Sequence, residues 1–327
     1  MLIERFVSNQ PNQTREQAIA LLTAPKHKLA VDIETVSLEN TLPLGIGLAT
    51  SGEQGFYFFN PRDPLLVTIF ANTGIVVTHN GKFDMTILEQ YGYPVQDYED
   101  TKMIAYALGM LDNSLPELSQ AVLHRACPSV TDQWRKPDQG NIAIDHVEMA
   151  RVCMIHACNT FALEETLPKT ELYLNIDKPC VKLLMEMEHW GLLIDQYRLT
   201  RVEQAVVSKA FPMEKELMEE LGFISNLASN IQIAAALKLK GIIGTRKTKS
   251  ARDSVSEDSL KPLNLPLTNK LLKWRSLMKN LTTYIPAFRK VDHVGRLHTH
   301  FGYTNTGRWS SSGPNHQNIT RDEKYSD

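Results

Sequence analysis

The sequence has no hydrophobic run long enough to cross a membrane. Its longest apolar stretches, such as residues 45–49 and 233–237, fall far below the roughly 20 residues that a spanning helix needs. The N-terminus also lacks the charged and then apolar pattern of a secretory signal. These features exclude an integral membrane protein and predict a cytoplasmic one.

Cysteine is scarce, with Cys127, Cys153, Cys158 and Cys180 as the four in 327 residues. So few cysteines in so long a chain do not form the disulfide framework of a secreted domain. We therefore expect reduced and buried thiols.

An excess of charge of one sign is missing too. The formal net charge is -2 at pH 7, which excludes a general affinity for polyanions. Basic residues concentrate in one Gly-, Thr- and Ser-rich stretch, at Arg246, Lys247, Lys249 and Arg252. With 43% hydrophobic and 22% charged residues, the chain has an ordinary globular composition and is long enough for two domains.

The pattern of apolar residues predicts strands first and helices afterwards. A helix over residues 14–24, with Thr14 as N-cap, precedes strands at 28–34, 44–49 and 55–59 that we expect to form an antiparallel meander. A strand at 74–78, a helix at 85–91 and helices near 100–110, 115–124 and 145–166 follow. Residues 169–294 then show helical spacing, and residues 295–327 are irregular. The fold class is α/β or α+β, followed by a mostly helical second domain.

Two carboxylates stand at the end of the first long strand. Asp32 and Glu34 share one face of that strand, because successive side chains alternate, while Val31 and Ile33 take the other face. Like charges held side by side are costly unless a cation or a proton lies between them. By its spacing alone, such a pair is more often solvated surface than a metal site.

Asp84 is the candidate third acid, because a strand, a turn and a helix start return it to the end of the Asp32 strand. Asn80, four residues earlier, supports the same turn. Three acids suit two divalent ions that lie about 3.5 to 4 Å apart and clamp a phosphodiester. Asp100 and Thr101 open the next helix, and we interpret them as N-cap residues only.

These residues resemble the motifs of a known family. The sequence is similar to the proofreading exonuclease, thumb and start of the palm of family A DNA polymerases, of a phage-like kind. The segments that carry the resemblance are Val31-Asp-Ile-Glu-Thr35, Asn80-Gly-Lys-Phe-Asp84, Asp100-Thr101, residues 223–232, Trp274-Arg275, Thr283-Tyr284 and Thr306-Gly-Arg-Trp-Ser-Ser-Ser-Gly-Pro-Asn315-His-Gln317-Asn318-Ile319.

The resemblance implies three parts and a set of ligands. Residues 1–168 would form a ribonuclease H-like 3′→5′ exonuclease domain, a mixed sheet flanked by helices. Residues 169–294 would form a helical, thumb-like DNA-binding region, and residues 295–327 the start of the palm. Two divalent ions, Mg²⁺ or Mn²⁺, would be held by Asp32, Glu34 and Asp84, with a fourth residue at the position of His156.

DNA contacts are implied as well. Arg308, Asn315 and Gln317 would contact the primer-template duplex without demanding a sequence, since their side chains can bind the minor groove, sugar and phosphate. Asn80 would lie beside the 3′ end. The basic residues at 246–252 would grip phosphates at the tip of the thumb. The alternative for both segments is a plain surface loop.

The third exonuclease motif departs from the family pattern. The family has a Tyr and, four residues later, the fourth metal-binding Asp, whereas this chain has Val152 and His156. Imidazole ligates Mn²⁺ better than Mg²⁺, which favours oxygen. Asp145 and Glu148 are nearby substitutes that do not keep the spacing. A zinc site of Cys153, His156 and Cys158 would require one helix to aim all three at a single ion.

Three functions stay open at this point. The first is a working 3′→5′ exonuclease. Because the sequence stops just after the duplex-binding segment, we expect that it does not polymerise alone, and that it either works with a separate palm and fingers polypeptide or is a truncated product. The second is a DNA-clamping subunit whose exonuclease has decayed, which Val152 and His156 favour. The third is a stand-alone RNA-trimming nuclease, which the thumb-like segments disfavour.

Overall fold

A computed structural model describes residues 6–35, 42–128, 146–222, 226–248, 253–304 and 306–317. The chain divides into two compact units, Met1–Glu186 and Met187–Asp327. The predicted parts 1–168, 169–294 and 295–327 stay a prediction, and residues 169–186 group with the first unit.

The first unit is a mixed sheet with helices on both faces. Its elements are β1 (Phe6–Ser8), α1 (Arg15–Thr23), β2 (Lys26–Thr35), β3 (Pro43–Ala49), β4 (Gly55–Phe58), α2 (Pro64–Ala71), β5 (Thr73–Thr78), α3 (Gly81–Gln90), β6 (Asp97–Asp100), α4 (Thr101–Ala107), α5 (Leu115–Leu118), α6 (His146–Thr166) and the start of α7 (Lys178–Trp190). Short π-helical turns lie at Ser119–Leu123 and Tyr173–Asp177.

The six strands lie in the order β1-β4-β3-β2-β5-β6. Strands β2, β3 and β4 form the predicted antiparallel meander, and β2, β5 and β6 run parallel to one another. The predicted cap of α1 is confirmed, because Thr14 accepts from the Gln17 N–H and the Gln17 side chain accepts in return from the Thr14 N–H.

The two faces of strand β2 pack into two different hydrophobic cores. Val31 and Ile33 pack with α1, α2 and α3 in the larger core, which also holds Leu22, Phe58, Phe70 and Leu88. Ala30 packs against α6 through Ala157 and Phe161 on the opposite face. The predicted alternation along β2 is therefore confirmed, and it turns Asp32 towards the face that α6 covers.

The segment after α6 is tied to the end of β6. The Tyr173 hydroxyl donates to Glu99 Oε2 over 2.7 Å and accepts from the Asp100 N–H over 3.0 Å. Lys169 and Lys178 lie 3.1 and 3.2 Å from Glu99 Oε1. Because Glu99 is almost fully buried, these partners supply the charge and hydrogen bonds that its burial requires.

The second unit is mostly helical. Its elements, after the end of α7, are β7 (Leu192–Leu193), α8 (Gln196–Glu220), α9 (Asn230–Leu239), α10 (Glu257–Leu260), a 3₁₀ turn (Lys261–Leu263), α11 (Pro266–Lys279), a π-helical turn (Asn280–Tyr284), α12 (Ile285–Phe288), β8 (Arg296–Leu297), β9 (His300–Tyr303) and β10 (Trp309–Ser312). Its core includes Leu217, Ile233, Leu237, Leu271 and Trp274. Strand β7 pairs with β8, and β9 with β10, both antiparallel.

No helix among the described residues is long and apolar enough to pass through a bilayer.

Candidate active site

Two glycines on β3 stand opposite the two carboxylates of β2. Asp32 pairs with Gly47, and Glu34 with Gly45. A Cβ added to Gly47 would lie 2.9 Å from the Cβ of Cys153 and 2.8 Å from its carbonyl oxygen. Glycine is therefore required at this position for α6 to lie so close to the sheet. The close approach brings the Cys153 side chain to the carboxylates.

The carboxylate pair and the thiol form a compact group of metal-ligating atoms. One ligand atom from each of Asp32, Glu34 and Cys153 lies within 4.8 Å of the others. Asp32 Oδ2 is buried and forms no hydrogen bond of normal geometry in the described part of the chain, although His156 Nδ1 lies 3.5 Å from it. A buried carboxylate oxygen so weakly bonded, beside a second carboxylate, is the environment that a divalent cation satisfies. These residues therefore fit the metal that the resemblance implies.

Asp84 lies against the same strand, in the first turn of α3. It is 5% exposed, and its Oδ1 accepts from the Ile33 N–H over 3.2 Å. Burial, and then the charge of Asp32, raise the pKa of the Asp84 carboxyl well above its ordinary range, against the opposing effect of the Ile33 bond. In the absence of a cation, ionisation of this carboxyl is therefore harder than that of an exposed aspartate. The expected return of Asp84 to the Asp32 strand is confirmed, although it lies outside the compact group of ligand atoms.

Asp100 fixes the turn that places Asp84. It is the N-cap of α4 and accepts from the N–H groups of the second and third residues of that helix. It also accepts from the Asn80 N–H over 3.1 Å and the Gly81 N–H over 2.8 Å. The predicted cap is confirmed, and the same carboxylate holds Asn80, whose φ of 72° is left-handed, at the start of α3.

His156 meets Asp32 from α6. Its Nε2 lies 2.7 Å from the Pro128 carbonyl oxygen, so this nitrogen carries a proton and donates it. Its Nδ1 lies 3.5 Å from Asp32 Oδ2. Burial acts to lower the pKa of His156, but the charge of Asp32 and the contact with Cys127 outweigh it and raise the pKa to about 11.

Two roles of His156 agree with this geometry. Without a metal, its imidazolium neutralises part of the negative charge at Asp32. With a metal, loss of the Nδ1 proton would leave a lone pair facing the site, while Nε2 keeps its bond to the carbonyl as metal-binding histidines usually do. The predicted position of His156 beside the acids is therefore occupied, and its role as a ligand stays a prediction.

Glu148, the described acidic alternative to His156, is engaged elsewhere. Glu148 is partly exposed, and both its carboxylate oxygens accept from Arg151, over 2.6 and 2.8 Å. Asp145 lies outside the described residues. Cys158 packs with Ala30 and Phe161 in the apolar cluster, so the zinc site of Cys153, His156 and Cys158 does not form as a compact group within the described ranges.

A buried phenol was not anticipated from the sequence. Tyr57 on β4 pairs with Gly47, is 0% exposed, and its hydroxyl has no hydrogen-bond partner among the residues described. The hydroxyl lies only 2.1 Å from where a Cβ of Gly45 would be. Burial, and then the charges of Cys153, Glu34 and Asp32, raise the pKa of Tyr57. The Gly45 and Gly47 pair inside a strand was the available signal, because interior glycines mark a close approach.

Val152, at the position of the family's tyrosine, is buried and apolar. It offers no hydroxyl to orient water. The phenol nearest to the carboxylates therefore comes from the sheet and not from α6.

The predicted DNA-binding residues are distributed over both units. Asn80 is exposed at the start of α3. Arg246 lies 2.9 Å from Asp258, and Lys247 pairs with Asp253, so both cations have acidic partners. Lys249 and Arg252 lie outside the described residues.

Arg308 is exposed in the loop that joins β9 to β10. The two amide side chains after it fasten residues 315–317 to β10. Gln317 accepts from the Ser311 N–H and donates to the Trp309 carbonyl, over 3.0 and 3.1 Å. Asn315 Oδ1 accepts from the Gln317 N–H over 2.9 Å. Direct DNA contacts by Asn315 and Gln317 stay predictions.

Two family models match the chain. A model described as 3′-5′ exonuclease matches residues 7–162, and one described as DNA polymerase family A matches residues 196–327. DNA polymerase I of Rhizobium leguminosarum is 29% identical over 263 residues, which are 74% of this chain and 26% of that protein. DNA polymerase I of Borreliella burgdorferi is 27% identical over 326 residues, 90% of this chain and 36% of that protein.

A solved structure has the same fold. The POL domain of Pol1 from M. smegmatis, in complex with DNA primer-template and dNTP, matches with a TM-score of 0.72 at 22% identity and covers 94% of this chain and 55% of that one.

The mixed sheet, with its carboxylate pair facing α6, defines a nuclease domain of the ribonuclease H-like α/β fold, followed by a mostly helical domain. The chain belongs to the family A DNA polymerases, of which it contains the 3′-5′ exonuclease domain and part of the polymerase region. It spans about a quarter to a third of the length of the curated relatives named above, at 26% and 36%. A phage-like origin stays a prediction.

Proposed function

We propose that this chain hydrolyses the 3′-terminal phosphodiester of frayed DNA and thereby proofreads a primer end. The observation that carries the proposal is the buried Asp32 oxygen, which forms no hydrogen bond of normal geometry, next to Glu34 and close to the buried Asp84. Three acids so placed cost folding energy, of which the His156 imidazolium offsets only the part at Asp32, unless a metal cation joins them. Retaining such an arrangement is explained by a metal-dependent reaction.

The residues divide the work as follows. Asp32 and Glu34 hold one divalent ion, and Asp84, with His156 near Asp32, helps to hold a second. Mg²⁺ or Mn²⁺ would supply activation of the attacking water and stabilisation of the leaving oxygen. Asp100 orients α3, which carries Asp84, by holding the backbone of Asn80 and Gly81.

DNA binding is proposed for the second unit as well. The M. smegmatis polymerase with the same fold is bound to primer-template, which supports a similar role here. Arg308 is the predicted duplex-binding side chain that we place against DNA, because it is exposed and the Thr304 hydroxyl holds its backbone N–H and carbonyl in the loop. Asn80, Lys249 and Arg252 complete the proposed set, with Arg246 and Lys247 exchanging their acidic partners for phosphate.

Dependence on a separate palm and fingers polypeptide for polymerisation stays a prediction. Within the described part of the chain, the one compact group of His, Cys, Asp and Glu atoms able to hold a metal is that of Asp32, Glu34 and Cys153, in the exonuclease unit. A cytoplasmic location also stays a prediction.

A second candidate function is DNA clamping by a subunit whose nuclease has decayed. Val152 and His156 favour it, since neither supplies the oxygen that the family pattern has at these positions. His156 as an imidazolium would also stabilise Asp32 without any metal.

The test is digestion of a 5′-labelled single strand and of a mismatched primer-template, in Mg²⁺ and separately in Mn²⁺. The variants are Asp32→Ala and His156→Asp, with Glu148→Gln as the matched control, because Glu148 is an acid of α6 that pairs with Arg151 away from the site. Digestion that Asp32→Ala abolishes and Glu148→Gln retains supports the exonuclease.

The opposite results are equally clear. If wild type is inert in both metals and His156→Asp restores cleavage, the clamping function is correct. Digestion that persists in Asp32→Ala assigns the activity to a contaminant.

A further inference from the structure

The thiol of Cys153 lies beside the Asp32 and Glu34 carboxylates. Cys153 is 0% exposed, and its sulfur is the third atom of the compact ligand group with Asp32 and Glu34. Oxygen ligands alone suit Mg²⁺, whereas a thiolate selects softer ions such as Zn²⁺. The group therefore differs in chemistry from an all-carboxylate site.

The distances suit one ion. Zinc binds a carboxylate oxygen at about 2.1 Å and a thiolate sulfur at about 2.3 Å, which places tetrahedral ligand atoms about 3.6 Å apart. The three atoms already lie within 4.8 Å of one another, so a contraction of no more than about 1.2 Å completes the geometry. The flexible Glu34 side chain, which is only half buried, can supply most of it.

A second observation points to a ligand at this group. The Tyr57 hydroxyl is fully buried and has no hydrogen-bond partner among the described residues. It lies over Gly45, the cross-strand partner of Glu34, and its ring packs in one cluster with Cys153. A buried hydroxyl normally has a partner, and an ion-bound water or an ion-bound carboxylate would provide one.

Among the described residues, solvent reaches the Asp32 carboxylate and not the Cys153 sulfur. The Asp32 side chain is 20% exposed, whereas Cys153 lies behind it against the sheet. An ion would therefore reach the carboxylates first and the sulfur last, and its remaining position would face solvent. Three protein ligands with one open position are typical of catalytic and not of structural zinc.

We propose that Asp32, Glu34 and Cys153 together bind one thiophilic divalent cation of the Zn²⁺ class, with the fourth position open to water or a phosphate oxygen. On binding, the Cys153 thiol gives its proton to solvent and its sulfur forms the bond to the ion. The proposal rests on the proposed function only in assigning this ion a part in phosphodiester hydrolysis.

The experiment is titration of the full chain, freed of metal, with Co²⁺ and with Cd²⁺, while the ultraviolet thiolate-to-metal charge-transfer band is recorded. The variants are Cys153→Ala and Cys153→Ser. Two controls each remove another thiol: Cys127→Ser, since Cys127 contacts His156, and Cys180→Ser, since Cys180 is outside the group. Circular dichroism shows which variants are folded.

We expect a band at one equivalent of ion that both Cys153 variants lose and both controls keep. Zn²⁺ affinity, measured by competition with a chelator, should fall at least about tenfold in Cys153→Ala. A band that survives in Cys153→Ala, or that only Cys127→Ser removes, overturns the proposal. If both Cys153 variants fail to fold, the wild type and Cys127→Ser decide. A wild type without the band refutes the proposal, whereas a band in the wild type that Cys127→Ser keeps in full supports it.

Nuclease assays separate this proposal from the proposed function. A charge-transfer band without digestion in Mg²⁺, Mn²⁺ or Zn²⁺ supports the thiolate site and refutes the exonuclease. Digestion in Mg²⁺ that Cys153→Ala leaves intact, without a band, supports the exonuclease and refutes the thiolate site.

Discussion

Replacement of Gly47 by alanine tests whether the close approach of α6 to the sheet builds the site. The new methyl would lie 2.9 Å from the Cβ of Cys153, whereas carbon atoms in contact are about 3.5 to 4.0 Å apart. Helix α6 must therefore retreat by about 0.6 to 1 Å at this point. Because the nearest atoms include the helix backbone, no side-chain rotation relieves the overlap.

The cost follows from known overpacking. Extra methyl groups in a packed core destabilise by about 1 to 3 kcal/mol, and the reduced freedom of the unfolded chain returns about 0.4 to 1 kcal/mol. We expect Gly47→Ala to lower the free energy of unfolding by about 1 to 2 kcal/mol. Urea unfolding of the full chain, followed by circular dichroism, measures it.

The matched control is Gly302→Ala, in strand β9, where an added Cβ has nothing within 4 Å. Its stability should stay within about 0.5 kcal/mol of wild type. The reasoning is wrong if Gly47→Ala is as stable as this control. It is also wrong if Gly47→Ala is destabilised and yet binds metal as wild type does, because retreat of α6 must carry Cys153 away from Asp32.

Three further results are expected. In a metal chelator, the His156 ring should stay protonated through neutral pH in an NMR titration, because its pKa of about 11 exceeds the ordinary 6.5. The stabilisation that the protonated ring contributes is full below pH 6.5 and is lost as the pH rises towards 11. A titration midpoint near 6.5 would refute the pairing with Asp32. As pH rises above about 4, the free energy of unfolding in urea of metal-free Asp84→Asn should increase relative to that of the wild type, since the raised pKa of Asp84 makes its ionisation destabilising. A difference between the two proteins that does not change with pH would contradict this. Arg308→Ala should reduce the slope of log affinity for duplex DNA against log salt by about 1, whereas an unchanged slope excludes a phosphate contact.

Sequence signals that lie within a few residues of one another predicted helix α1 and the two faces of strand β2. The capping pair Thr14 and Gln17 marks the start of α1, and the alternation of side chains along a strand places Asp32 and Val31 on opposite faces of β2. Helix α2 was missed, although Asp63 as N-cap and Pro64 at the first position are ordinary start signals. Its apolar sequence lacks a polar face to reveal the helical period.

Other features depend on the packing of distant segments. Strand β6 contains three acids in four residues and has no strand character of its own; it forms because it pairs in parallel with β5. Cys153 and Tyr57 reach Asp32 through the cross-strand register and the docking of α6, which no spacing along the chain expresses. The acids at the site were therefore predictable, and the thiol and phenol beside them were not.

The bonds of Tyr173 decide where this nuclease can be separated from the rest of the chain. A fragment that stopped at residue 168 would lack Tyr173, Lys169 and Lys178, which surround Glu99. The buried Glu99 carboxylate, one residue before Asp100, would then have no counter-charge from these lysines. Since Asp100 holds the turn leading to Asp84, such a cut reaches the acids through the backbone. The compact unit extends to Glu186, beyond the exonuclease motifs, so a fragment meant to keep these bonds must include residues 169–186.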